Sequence, residues 1–305
     1  MKIDVFAHVL LPRFYQKMLR LDPHLPDKMP FLQNPVLTDM KSRAQYQHKD
    51  TQQIISYVNV NPEDYVEADE ALKLVQEANQ ELLETLQAHS EQFAGGVAML
   101  ALNHMDGSLE ILEKFVTQNQ NIVGVQLFSR HLGQSVAAPE FAPIFETCAR
   151  LEIPIWLHPV FDTRKPDNNI VFSWEYEQTQ AMLEIVEAGY FRKYPNLKII
   201  VHHAGAMVPY FAERIRHILP EEMVQDFKKF YVDTALLGNP KALELAVDYF
   251  GIEKVLFGTD APLGILPAGP TKEIIAAIEA MALSTKEKQA IFADNWYRLL
   301  KQKGS

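Results

Sequence analysis

The sequence predicts a single (β/α)8 barrel, the TIM-barrel architecture, and three observations carry that expectation. Short apolar runs alternate with helical stretches along the whole chain; eight such runs can be counted; and about 250 residues remain for the alternation once a proline-rich insertion is set aside, which is the usual size of this barrel. A doubly wound open sheet competes, but it usually carries a glycine-rich phosphate turn after an early strand, and no such turn is present. No linker or shift of composition divides the chain, so residues 1–305 are read as one domain.

The first run, Lys2 to His8, is short and apolar and ends in histidine. Val9 to Asp50 follows, with prolines at 12, 23, 26, 30 and 35; it reads as an insertion loop with one short helix near Phe14 to Leu21. Gln53 to Val60 is the second strand, and Glu67 to Ser90 is an amphipathic helix with its acids early. Phe93 to Leu102 is the third strand, with a helix from about Gly107 to Gln118 behind it. Asn121 to Phe128 is the fourth, followed by a helix over Pro139 to Leu151 with proline in its first turn. Ile153 to His158 is the fifth and Leu197 to His203 the sixth, separated by a helix over Trp174 to Arg192; both strands end in histidine. A helix over Val208 to Ile218, a strand at Phe230 to Thr234 and a helix over Pro240 to Phe250 lead to the eighth strand, Lys254 to Asp260. Helices over Thr271 to Met281 and Thr285 to Lys301 complete the pattern.

Composition narrows the function classes. The chain of 305 residues is 48% hydrophobic, enough for a large core, and its formal charge of −10 comes without a Lys/Arg block. Nucleic acid and anionic membranes need a concentrated basic surface, so neither is expected as a partner. No run approaches the roughly 18 apolar residues of a membrane span, and MKIDVFAHVL lacks a signal-peptide layout, which makes a cytoplasmic enzyme the expectation. Cys148, the one cysteine, excludes an internal disulfide and a cysteine-cluster metal site.

In a barrel the last inward side chains of different strands converge on one cavity at the carboxyl ends. His8, His158, His203 and Asp260 end the first, fifth, sixth and eighth strands. Each alone has an ordinary reading, a rim histidine or, for Asp260 before Ala-Pro, a turn former. Together, imidazole nitrogens and a carboxylate suit a borderline divalent ion such as Zn, Mn or Fe. Alternation sends adjacent strand residues to opposite faces, and we assign His203 to the inside and His202 to the outside. His24, His48, His89, His104, His131 and His217 fall in loops or on helices and are read as solvated. Gln126 faces the cavity or forms part of a barrel layer, and Arg43 in the insertion is an anion-binding candidate or an exposed helix arginine.

These residues, with the segments MKIDVFAH, IPIWLHP, GYFRKYPNLKIIVHHAGAMVPYFAERI, YVDTA, VLFGTDAP and DNWYRLL, give the chain a resemblance over nearly its whole length to the amidohydrolase-2 group of the metal-dependent amidohydrolases, the branch holding aminocarboxymuconate-semialdehyde decarboxylase. The resemblance implies that His8, His158 and Asp260 bind one divalent metal. It implies that His203 acts as acid/base, with Asp260 also counted as catalytic, and that Arg214 reaches a substrate carboxylate from the neighbouring subunit of a homodimer. Where the family has His-x-His or Glu-x-His on the first strand, this chain has Phe6-Ala7-His8, so one ligand is missing and metal affinity is reduced or lost. Phe6 narrows the pocket, stacks on an aromatic substrate, or is simply core. The fourth strand, GVQLFS, has no lysine to bridge a second metal, so the site is mononuclear at most.

The expectation is a metal-dependent, non-oxidative decarboxylase of a small aromatic or unsaturated carboxylic acid, with zinc as the metal and manganese as the alternative. Hydrolysis or hydration of a small carboxylated substrate uses the same parts, and a metal-free barrel that binds a small acid is a third reading. Trp174 and Tyr176, with the 9–50 insertion, are where substrate specificity is expected.

Overall fold

The computed structural model describes residues 1–301, and the apolar runs assemble as a parallel barrel. Strands β1 (Lys2–Val9), β2 (Thr51–Tyr57), β3 (Phe93–Ala98), β4 (Ile122–Phe128), β5 (Ile155–His158), β6 (Ile199–Val201) and β7 (Tyr231–Val232) pair side by side in that order, every pair parallel. A small hairpin, Arg130–His131 with Gln134–Ser135, stands outside the sheet.

The eighth run is not a regular strand. Val255 bridges to Val232 and Ala261 to Ala7, and backbone bonds from Leu256 N–H to Val232 O at 2.8 Å and from Val5 N–H to Phe257 O at 2.8 Å complete the ring. Between those points Asp260 N–H still bonds to Phe6 O at 2.8 Å, and side chains supplement the ladder. Thr234 Oγ1 donates to Gly258 O at 2.9 Å and accepts from Gly258 N–H at 3.0 Å, and Asp4 accepts the Thr259 N–H at 3.0 Å and its hydroxyl at 2.6 Å. A side chain at 258 would meet Asp233 Cβ at 2.8 Å and Phe6 Cβ at 3.0 Å, so glycine is what lets β1 and β7 approach there.

Two apolar layers hold the barrel. Outward strand residues pack on the surrounding helices in one large core. Inside and below, Val97, Trp156, Ile200 and Leu256 join Trp296 and Leu299 from the end of the chain. The C-terminal stretch is helix Thr285–Gln289, a π-helical turn Ala290–Asp294 and helix Asn295–Lys301, where one continuous helix is expected from sequence. The break is set by the barrel floor: Phe257 N–H bonds to Ile291 O at 2.9 Å, and Asn295 Nδ2 donates to Ile252 O at 2.7 Å and Val255 O at 2.8 Å.

The 9–50 insertion differs from the expected loop. It is a string of short helical pieces, Pro12–Leu21, Leu25–Lys28, Pro30–Gln33, Pro35–Thr38 and Met40–Tyr46. Four of the five carry proline at their first or second position, where its missing N–H costs nothing, so the prolines open helices rather than interrupt them. Glu81, from the long helix Ala68–Ala88, accepts the N–H groups of Arg13 and Phe14 at 2.8 Å each and caps the first piece.

Two further sequence expectations are corrected. Arg43 is neither exposed nor open to an anion: it is buried, giving Nε and Nη2 to Gln53 Oε1 at 3.0 and 2.8 Å and Nη1 to His8 O at 2.7 Å. His131 is buried rather than solvated, with Nδ1 2.5 Å from Glu63 Oε1 and Nε2 accepting the Phe128 N–H at 3.0 Å. Gln126 is a barrel-layer residue, donating to Tyr57 O at 3.1 Å.

Candidate active site

The rings of Phe6, His8, His158, His202 and His203 meet at the carboxyl ends of β1, β5 and β6. Phe6 is at their centre: its centroid lies 3.5 Å from that of His202 with the planes 11° apart, 4.7 Å from His8 edge to face, 5.6 Å from His158 and 6.0 Å from His203. Phe6 and His8 are two residues apart on β1, so both face inward.

Each imidazole is oriented by a neighbour. His158 Nδ1 donates to Pro159 O at 2.7 Å, which leaves Nε2 as the lone-pair nitrogen. His8 Nδ1 shares a hydrogen bond with Ser56 Oγ at 3.2 Å. His8 Nε2 is buried, has no hydrogen-bond partner, and lies 3.2 Å from Asp260 Oδ1. Burial, then the neighbouring histidine charges, drives His158 well below the ordinary histidine range, so its ring is neutral. Asp260 carries φ of +63°, a left-handed conformation that aspartate tolerates better than most residues.

The sixth strand departs most from expectation. It ends at Val201, and because Ile200 belongs to the inner layer, His202 also points inward. The assignment of His202 to the outside is therefore wrong. Both histidines reach the site because the chain turns sharply after β6: His203, Ala204 and Ala206 all have φ between +53° and +55°. Left-handed backbone at non-glycine residues costs of order 1–3 kcal/mol each. Asp233, at the end of β7, holds the turn by accepting the Ala204 N–H at 3.2 Å and the Ala235 N–H at 2.9 Å through Oδ1. Its Oδ2 lies 2.8 Å from His202 Nδ1.

His203 is electrostatically unlike the others. Burial works against its charge, but the Glu175 carboxylate 2.7 Å from Nδ1, with Asp260 and Asp233 behind it, outweighs that and holds it up to about 9. The imidazolium is thus the resting form at neutral pH, beside neutral His158 and His202. Asp4, below Phe6, is pushed up to about 7 by burial, against the pull of its hydrogen bonds and of Arg43.

Of the remaining expected site residues, Trp174 stands at the mouth, 5.7 Å and edge to face from His158 and 5.3 Å from Phe161. Arg214 is exposed on the helix Ala212–Ile218, where Glu213, Arg216 and His217 pair among themselves. Asp233, Glu175 and His202 are site residues that sequence reasoning missed. Asp233 ends an apolar strand as Asp260 does, in YVDTA, and the same strand-end rule would have found it.

The donor set suits a divalent cation in kind: the partnerless buried Nε2 of His8, the free Nε2 of His158 and the Asp260 carboxylate are two borderline nitrogens and an oxygen. Among the described residues, no three His, Cys, Asp or Glu side chains are already gathered as a metal cage. None of the described helices is long and apolar enough to cross a membrane.

Comparison with known proteins extends these observations. A family model described as "Amidohydrolase" matches residues 8–302. The chain is 26% identical to a 6-methylsalicylic acid decarboxylase of Penicillium expansum over 86% of its own length and 85% of that protein's. It is 28% identical to a 2-amino-3-carboxymuconate-6-semialdehyde decarboxylase of Dictyostelium discoideum over 77% of its length and 69% of the other's. Among solved structures, a dihydroxybenzoic acid decarboxylase from Polaromonas, with bound manganese and the inhibitor 2-nitroresorcinol, has a TM-score of 0.81 at 22% identity, covering 100% of this chain and 98% of the other. At that identity the likeness speaks for the barrel fold alone.

Proposed function

The chain belongs to the amidohydrolase family, and from that premise we propose that it is a metal-dependent, non-oxidative decarboxylase of a small aromatic or unsaturated carboxylic acid. The observation that carries the reading is the charged His203, set by Glu175 beside a buried cluster of neutral imidazoles. Loss of carbon dioxide leaves an electron pair on the carbon that bore the carboxylate, and that carbon must gain a proton. His203 is the proton donor: the C–C bond breaks, carbon dioxide leaves, the electron pair takes the imidazolium proton, and solvent returns a proton to the ring before the next turnover.

The relatives named as decarboxylases support this reaction, and the manganese in the Polaromonas structure supports a divalent cation. His8, His158 and Asp260 would hold that cation, zinc or manganese, which supplies Lewis-acid polarisation of substrate oxygens. Trp174 and Phe6 supply aromatic walls for a flat substrate. Arg214, with exposed Tyr210 and Phe211 close by in the chain, fits an interface where a second copy receives the guanidinium as a bidentate carboxylate anchor.

The test is carbon dioxide release from a panel of hydroxybenzoates and unsaturated dicarboxylic acids, with protein loaded with zinc or manganese. Release by wild type and its loss in His203→Asn is the expected result; turnover that consumes substrate without carbon dioxide overturns the reading.

A further inference from the structure

His202 belongs to no role considered so far, yet its environment is that of a ligand. It is fully buried, and Nδ1 lies 2.8 Å from Asp233 Oδ2. Its Nε2 is buried and has no hydrogen-bond partner. Leaving such a nitrogen buried and unpaired destabilises the fold unless something uses it. A carboxylate on one imidazole nitrogen with the other left free is the arrangement that orients metal-binding histidines and raises their basicity.

The position matters as much as the environment. His202 is inward on β6 at the level of His158, the two ring centroids 5.5 Å apart. It lies face to face with Phe6, the residue that stands where a first-strand ligand is missing. A face stack does not occupy the Nε2 lone pair, which lies in the plane of the ring. The stack therefore fixes the plane of His202 without blocking its donor atom.

We propose that His202 is a fourth protein donor to the divalent cation, so that the imidazole absent from β1 is supplied from β6. This rests on the metal-dependent reading above. His203 is then left free for proton transfer, held by Glu175. The site offers three imidazoles and one carboxylate, each from a different stave of the barrel, with Asp233 as the positioning residue of the additional imidazole.

Two measurements test it on the full chain. Equilibrium dialysis with Zn2+ or Mn2+ alone, followed by metal analysis, compares wild type with His158→Ala, His202→Ala and His202→Gln, each checked for folding by circular dichroism. The expected result is one metal per chain in wild type and an affinity loss of at least about tenfold in both His202 variants. Because a variant can unfold, wild-type protein labelled with nitrogen-15 histidine is also loaded with cadmium, and cadmium–nitrogen couplings are counted. Coupling at His8, His158 and His202 but not at His203 is expected. Coupling at His8 and His158 alone, with affinity unchanged in the His202 variants, overturns the role of His202 and leaves the metal reading standing. No metal retained by wild type and no couplings overturns both.

Discussion

The two sides of the site, the end of β1 and the ends of β6 and β7, are built on opposite principles. β1 slips register against β2 between Asp4 and Ala7 but stays extended, and presents Phe6 and His8 two residues apart. It is poor in polar groups where a donor is needed, and a phenyl ring fills the place. β6 stops early, bends through three left-handed residues, and delivers two histidines into the same space, each paired with a carboxylate from another element. One side keeps an extended backbone and is short of chemistry; the other turns left-handed and is rich in it. Strain of this kind is kept where it presents a reacting group, and here it allows consecutive residues to share a cavity that alternation would have given to only one.

The largest effect should come from the strained side. His203→Asn removes the proton donor and should lower the decarboxylation rate by about 10²–10⁴-fold with little change in metal content; a rate within a few fold of wild type would show that the bend serves some other purpose. Next comes complementation. Arg214→Ala and Asp260→Ala should each be inactive, and mixing them should recover part of the activity if each site draws its arginine from the partner copy. Activity that stays absent in a mixture shown to exchange subunits would show that Arg214 does not serve the partner's site. Third, Phe6→His introduced into His202→Ala should win back about tenfold in metal affinity, since it moves the donor from one side to the other.

The fourth effect is one of pH. His203 is protonated below about 9, so activity should fall through an alkaline limb near that value. Glu175→Gln removes the carboxylate that raises it, and the limb should move to lower pH; an unmoved limb would assign it to another group. The same sign governs stability. Because folding raises the affinity of His203 for its proton, that contribution is complete below the ordinary value of 6.5 and is lost as pH rises through about 9. Smallest is Arg43→Met, behind β1, which strips Gln53 Oε1 and His8 O of donors and should cost roughly 1–3 kcal/mol in denaturant unfolding.

How much of this was legible in the sequence divides along the same line. The strands, their order and the inward residues of β1 and β5 follow from apolar runs and a period of two, which are local signals. That is how His8, His158 and Asp260 were placed at one end of the barrel, where the structure brings them together. His202 was misassigned because its direction depends on where β6 ends, and the bend after Val201 is held by Asp233 from a different strand. Glu175 was invisible because it comes from a helix, where no strand-end rule applies. Arg43 was misread for a similar reason: nothing near it in the chain announces that its partners are Gln53 and the His8 carbonyl. The helices of the insertion were written in its prolines, which mark helix starts as well as breaks, and only the first of the possible starts was read as one.

The closure of the barrel between Gly258 and Ala261 has a consequence for motion. Most of the cylinder is joined by repeated backbone bonds, but the stave that carries Asp260 adds to a short backbone contact with Phe6 O the side chains of Thr234 and Asp4. That makes it a seam. The Gly258 N–H rests on Thr234 Oγ1, so its amide exchange should quicken in Thr234→Val, while the ladder from β1 to β4 stays protected. The carboxylate at the mouth therefore sits two residues from a stitch that a single substitution can loosen.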